Sequence, residues 1–134
     1  MVSDISFATR LQIEWPRAVK AFLHNPIVGT GPSSITEATD NDYLRWIGEF
    51  GLLGTTLFLF ILFTIIKDVW THSRRLNEQD RAVYYGFLFG TFALLFNAGY
   101  IDVFEASKVA FTFWTYAGIV IGSLAYVTKT SKKE

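Results

Sequence analysis

The chain has no cysteine, only three prolines and two histidines in 134 residues, and its twelve Lys and Arg are matched by twelve Asp and Glu. Without cysteine there can be no disulfide framework and no thiolate metal site, and the redox compartment is left open. A net charge of zero leaves no overall basic field of the kind that draws a protein to nucleic acid. His72 has no partner at metal-ligand spacing and reads as a solvated side chain. Val-Ser-Asp-Ile-Ser after Met1 is not a basic-then-apolar leader. Internal repeats and low-complexity tracts are also missing.

What is abundant is apolar and aromatic. Hydrophobic residues make up 51% and aromatics 17%, with thirteen Phe, and the polar residues are segregated rather than interspersed. Three stretches carry no charge: residues 50–66, 82–101 and 109–128, of 17, 20 and 20 residues. A spanning helix needs about 20 mostly apolar residues to cross roughly 30 Å of hydrocarbon. The second and third runs meet that length. The first does so if Trp46 and Trp70 are its interfacial anchors, which extends it to about 24 residues. The competing assignment, core helices of a water-soluble bundle, is disfavoured because so short a chain could hardly bury three such runs. The expected fold class is therefore all-α: part of a polytopic membrane protein, with an extracytoplasmic helical segment followed by three transmembrane helices.

Residues 5–24 read as a helix, with Phe7, Leu11 and Trp15 on one face and Ala18, Val19, Phe22 and Leu23 continuing it. Pro16 predicts a kink or a fresh start there. The face suits either a helix lying at a membrane surface, given Arg10, Arg17 and Lys20 beside it, or one packed on other protein. Asn25-Pro26 ends it, and Gly29-Thr30-Gly31-Pro32 predicts a tight turn. That G-x-G could also offer amides to a phosphate, although most such pairs are only turns. After a polar loop at 33–39, Thr39 or Asp40 is expected to cap a long helix, with Asp42 in its first turn favoured by the helix dipole.

The connector 67–81 is charged, and the spans after it carry small residues four apart, Gly86 with Gly90 and Gly118 with Gly122. Such spacing lets helix backbones approach closely. Asn97, costly in lipid, is expected to face protein or a polar cavity. The connector and the tail hold seven Lys or Arg on one side of a three-span arrangement. The other side holds four in residues 1–49 and one in the acidic loop 102–108. The denser side is expected to be cytoplasmic. This divides the chain into an extracytoplasmic segment 1–45, a membrane domain 46–128 with spans at about 46–69, 82–101 and 109–128, and a cytoplasmic tail 129–134. An outside N-terminal segment with no span before it implies a piece of a longer protein, whose missing N-terminal helices would dock on the small-residue faces.

The ordered set Arg10, Trp15, H-N-P-I-V-G-T-G-P at 24–32, D-N-D-Y-L at 40–44 and G-E-F-G-L-L-G at 48–54 resembles the C-terminal signature of the O-antigen ligase/O-antigen polymerase superfamily. An aromatic-rich last span at 111–118 continues the resemblance weakly. The resemblance implies an integral membrane glycosyltransferase of the inner (plasma) membrane, working on its outer face. Such enzymes take glycan linked to undecaprenyl pyrophosphate and pass it to a growing glycan acceptor, or to lipid A core in the ligases. They use no nucleotide sugar and no obligatory metal. Many members, ligases especially, carry a histidine where this chain has Asp40, so polymerisation of oligosaccharide units is the preferred reading and ligation the alternative.

Glycosyl transfer from a pyrophosphate needs a base for the acceptor hydroxyl and cations or amides for the departing phosphate. Asp40 and Asp42 are the candidate bases, with helix capping and dipole pairing as their other reading. Arg10 falls on the family's arginine position and is the first candidate for the pyrophosphate, since a guanidinium binds phosphate oxygens bidentately. Arg17 is next, and Asn41, Tyr43 and Arg45 complete the expected substrate-binding set. Arg45 could instead pair with Glu49 one turn on. A non-catalytic assembly subunit, suggested by the small-residue faces, and a transporter fragment, suggested by Asn97 and Asp102, are the competing classes.

Overall fold

In the computed structural model, residues 8–35, 39–105 and 107–130 are described. The expected helix start at Ile5 and Phe7, part of the 33–39 loop and the last residues of the tail lie outside them. Every regular element among the described residues is helical. A short π-helical segment, Arg10–Glu14, runs into α1 (Trp15–His24), followed by α2 (Asp42–Ser73), α3 (Glu78–Asn97) and α4 (Ser107–Thr130).

The kink expected at Pro16 takes the form of that π segment. Pro16 sits in the first turn of α1, and Trp15 N–H reaches back five residues to the Arg10 carbonyl. A proline ring collides with the carbonyl four residues before it, and the wider π turn gives it room. At the other end Asn25 leaves the helix with φ −145° and ψ 84°, away from the helical region that a following proline disfavours.

The main event is inside α2. Gly51 has φ 63° and ψ −168°, which interrupts the helix after about two and a half turns. A break of this kind strands carbonyls on one side and amides on the other. The loop after α1 supplies both sets of partners. Thr30 N–H donates to Gly48 O at 3.1 Å and Gly31 N–H to Glu49 O at 2.9 Å. In return, Leu52 N–H donates to Pro26 O at 2.9 Å and Leu53 N–H to Ile27 O at 3.0 Å. The Thr30 hydroxyl adds a bond to Gly48 O at 3.1 Å. Two backbones this close leave no space for side chains. A Cβ on Gly29 (φ 73°) would overlap the Glu49 carbonyl, and one on Gly51 would come within 2.5 Å of Gly29 N. Just below, Ala18 of α1 and Ile35 pack against Gly48, whose missing side chain makes the contact possible.

Beyond Gly51, α2 continues straight and gathers α3 and α4 around Leu62 and Val69. Tyr84, Phe87 and Leu88 of α3 and Phe113, Ala117, Val120 and Leu124 of α4 complete that core. Asn77 caps α3, accepting from Asp80 N–H at 3.3 Å. Tyr84 Oη lies 3.0 Å from Ser123 Oγ and ties α3 to α4. Outward, Phe60, Phe63, Phe89, Phe96, Phe111 and Ile119 are all exposed.

Two helices, Asp42–Ser73 and Lys108–Val127, are long and apolar enough to cross a membrane by length and composition. α3 is not among them, so two of the three expected spans reach this standard. Its helix starts and ends earlier than the uncharged run at 82–101. It takes Glu78, Asp80 and Arg81 into its first turn and loses Ala98 to Ile101 to a turn. Asn97, expected to face protein or a polar cavity, is exposed instead. It is the last residue of α3, and its side-chain amide returns to Ala93 O at 3.0 Å. The small-residue faces are open: a Cβ at Gly86, Gly90, Gly118 or Gly122 would meet nothing within 4 Å.

Gly29→Ala should destabilise the chain by more than about 3 kcal/mol, because backbone strain and a backbone clash add. Gly31→Ala, where φ is 99° but the space is open, should cost only about 1–2 kcal/mol. Thermal unfolding of the two variants in one detergent measures the difference, and equal midpoints would contradict the proposed role of the close approach.

Candidate functional site

The polar residues at the head of α2 converge with the start of the π segment and with the turn after α3. Arg10 reaches Asp40 with two donors, Nη2 at 2.7 Å and Nε at 3.1 Å, both ending on Oδ2. The pair is part-exposed, 25% for the arginine side chain and 43% for the aspartate. Asp40 N–H is held in turn by Glu14 Oε2 at 3.3 Å, and Glu14 is itself buried. Two residues thirty apart in the chain thus meet because the 26–31 loop folds α1 back onto α2.

The next residues face inward. The helix cap is Asn41, not Thr39 or Asp40: Asn41 Oδ1 accepts from Leu44 N–H at 3.0 Å. Its Nδ2 donates to Gly99 O at 2.8 Å, and Tyr43 Oη donates to Leu95 O at 2.7 Å. Asp42 does sit in the first turn, as expected, but its side chain is completely buried. Its Oδ2 accepts from Val103 N–H at 2.9 Å and Phe104 N–H at 3.0 Å, while its own N–H donates to Ala98 O at 2.8 Å. Asn41, Asp42 and Tyr43 therefore fasten the 95–104 segment. Asp42 is sealed from solvent in this arrangement, whereas the Asp40 side chain is part-exposed.

Arg45 is buried and surrounded by acid. Nη1 donates to Asp102 Oδ2 at 2.7 Å, and Nε lies 2.6 Å from Glu105 Oε2 and 3.4 Å from Glu49 Oε1. The pairing with Glu49 one turn on is present, but it is the longest of the three. Three carboxylates on one guanidinium leave an excess of negative charge. Burial pushes the Asp102 carboxyl above its ordinary value; Arg45 opposes this, and Asp42 and Asp40 add to the rise. Glu105 is raised for the same first reason, again against Arg45, with Asp102, Glu49 and Asp42 adding.

Beside Arg45 lies a cavity of about 440 Å³ lined by Arg45, Glu49, Thr55 and Glu105 on its polar side and by Trp46, Phe50, Phe58 and Phe104 on its apolar side. Trp46 packs on Phe58 at 4.6 Å and on Phe104 at 5.7 Å between ring centres, so the apolar wall is one aromatic cluster. Arg17, the other expected phosphate ligand, is exposed on α1. The Gly29–Gly31 turn is not an anion cradle. Its three amides go to Asn25 O, Gly48 O and Glu49 O, which leaves none for a phosphate.

The sequence reading missed Glu14 and the coupling of Arg45 to Asp102 and Glu105. One signal was available for the second. A charged residue at the edge of an apolar helix needs a counter-charge, and the acidic loop 102–108 was the nearest supply. Among the described residues no group of three or more His, Cys, Asp or Glu could hold a metal ion. Compared with known proteins, the chain matches no family model, no curated protein and no solved structure.

Because burial raises Asp102 and Glu105, the folded chain holds their protons to higher pH than the unfolded chain does. Stability from these groups should fall as pH rises from about 4, their ordinary range, through the raised values, and return on acidification. Melting curves taken stepwise from pH 7 down to about pH 4 test this: the midpoint should rise on acidification in the parent chain and rise less in Glu105→Gln. An equal rise in both would remove Glu105 from the effect.

Proposed function

We propose that this chain belongs to a membrane glycosyltransferase that polymerises undecaprenyl pyrophosphate-linked oligosaccharide units. The supporting observation is the Arg10–Asp40 pair. A part-exposed guanidinium and carboxylate, contributed by distant parts of the chain, stand together at the polar head of an apolar helix. In this reading Arg10 exchanges its carboxylate for the pyrophosphate oxygens of the donor, since it binds either bidentately. Asp40, released from that pair, accepts the proton of the attacking hydroxyl. α3 serves as the middle one of three spans, residues 1–45 lie on the extracytoplasmic side, and the chain resides in the inner (plasma) membrane. Further helices of the same protein would cover the open glycine faces of α3 and α4 and enclose the site.

Polymerisation is preferred to ligation because Asp40 stands where many ligases carry histidine. On the residues that suggested a transporter, Asn97 bonds to its own helix and Asp102 to Arg45. An assembly subunit remains the second reading, favoured by the unoccupied space beside Gly86, Gly90, Gly118 and Gly122.

The test is glycan profiling of cells expressing the protein with Arg10→Ala or Asp40→Asn. Each should lower polymerised surface polysaccharide by about 100-fold or more, the usual scale for losing a proton-transfer or charge-stabilising group. The amount of protein in the membrane should not change. Asp42→Ala should behave differently, costing about 2–4 kcal/mol of stability by leaving two amides unpaired and so reducing protein level. Normal polymer from both site variants would overturn the assignment and leave the assembly reading.

A further inference from the structure

The cavity beside Arg45 has a composition that the glycosyl-transfer reading does not use. Its polar lining, which also includes Ser33, holds three buried polar atoms without a hydrogen-bond partner among the described residues: Arg45 Nε, Glu49 Oε1 and Thr55 Oγ1. Glu49 is 3% exposed, and its Oε1 has no hydrogen-bond partner among the described residues; its contact with Arg45 Nε, at 3.4 Å, lacks hydrogen-bond geometry. Thr55 is 7% exposed, and its hydroxyl is likewise unpartnered. Thr39, outside the helices, is the other buried threonine without a partner among the described residues. Thr64, Thr91 and Thr112 each return their hydroxyl to the carbonyl four residues back, at 2.8 Å. For Thr55 that carbonyl belongs to Gly51, the broken residue, and no such bond forms.

Buried polar atoms without partners cost stability, so their persistence beside an open volume calls for an explanation. The volume of about 440 Å³ is of small-ligand size. Three features define what fits. Glu49 Oε1 lacks a donor, and the Thr55 hydroxyl, which can donate or accept, lacks any partner. Around Arg45 the carboxylates of Glu49, Asp102 and Glu105 outnumber the guanidinium, which favours a ligand of positive charge. The opposite wall, Trp46, Phe58 and Phe104, favours an apolar body and attracts a cation to its ring faces. An anion is excluded by the charge balance, and a neutral apolar molecule would leave the oxygens unpaired.

We propose that this cavity binds a primary ammonium group carried on an apolar body, the ammonium donating to Glu49, Thr55 and Glu105 and the body lying on the Trp46–Phe58–Phe104 wall. The ammonium could arrive on a free amine or on a phosphatidylethanolamine headgroup, since the cavity adjoins the head of an apolar helix. The inference is independent of the glycosyl-transfer reading, because neither Arg10 nor Asp40 lines the cavity.

The test is calorimetric titration of the chain in phosphatidylcholine nanodiscs, with empty discs subtracted. The probes are 2-phenylethylamine and its neutral analogue 2-phenylethanol. Saturable binding of the amine is expected, with the alcohol weaker by about tenfold or more, the scale of one desolvated cation–aromatic contact with its charge partner. Glu105→Gln should weaken the amine by about fivefold, and Thr55→Val, nearly isosteric and safe for the fold, by about threefold. Weaker amine binding in discs containing phosphatidylethanolamine would assign the headgroup as the source, and unchanged binding would assign a free amine. The proposal is overturned if the amine does not saturate, if amine and alcohol bind alike, or if both variants keep the parent affinity. Failure here would leave the Arg10 and Asp40 result untouched.

Discussion

The splice between the 26–31 loop and the broken helix at Gly51 is the contact on which the rest of the molecule depends. Four backbone hydrogen bonds across the break replace those the helix would have made with itself. They also fix where α1 ends relative to α2. Since Ala18 and Ile35 then close on Gly48, α1 and the π segment before it have one orientation, and Arg10 is delivered to Asp40. Without the splice these residues would sit on independent elements. The two glycines at the contact are needed for space as much as for conformation, which is why G-x-G here is structural and not an anion cradle.

A second fastening works from the same helix. Asn41, Asp42, Tyr43 and Arg45 each hold a different part of the 95–105 segment, through backbone carbonyls, backbone amides and acidic side chains. This concentration of polar bonds explains why the helical part of the second uncharged run stops at Asn97. The last residues of the run are worth more as partners of α2 than as a further helical turn. It also explains why charge accumulates around one arginine. Asp102 and Glu105 enter with the segment that Asp42 pins, and burial of the cluster leaves Arg45 outnumbered. Such an arrangement resembles a binding site more than a stabilising ion pair, because buried charges without full compensation are costly.

The division of labour along α2 follows from these two constraints. Its first turns are polar and inward-looking, its middle is broken and backbone-paired, and its remainder is an apolar rod with phenylalanines turned outward. The part-exposed Arg10–Asp40 pair and the aromatic cavity flank the first portion on different sides. Reactive-looking and ligand-sized features are therefore both found where the helix leaves its polar surroundings.

Composition and period alone determined the class of the protein. Uncharged runs of helix length, proline and glycine at the element ends and the absence of strand-like alternation required an all-helical chain with apolar helices, since nothing else in so short a sequence could absorb them. The approximate start of α2, the turn at Gly29 and the acidic first turn were legible for the same local reasons, whereas the cap at Asn41 and the break at Gly51 were not. Residue roles were not. Asp40 and Asp42 are the same residue type two positions apart, yet one is open to solvent beside Arg10 and the other is sealed under two amides. That difference is made by residues thirty and sixty positions away, which local pattern does not register. Which amides are already spent, which carboxylates crowd Arg45 and which threonine is left without its usual carbonyl were decided only by the tertiary structure. Each depends on how a broken helix finds backbone partners in another part of the chain.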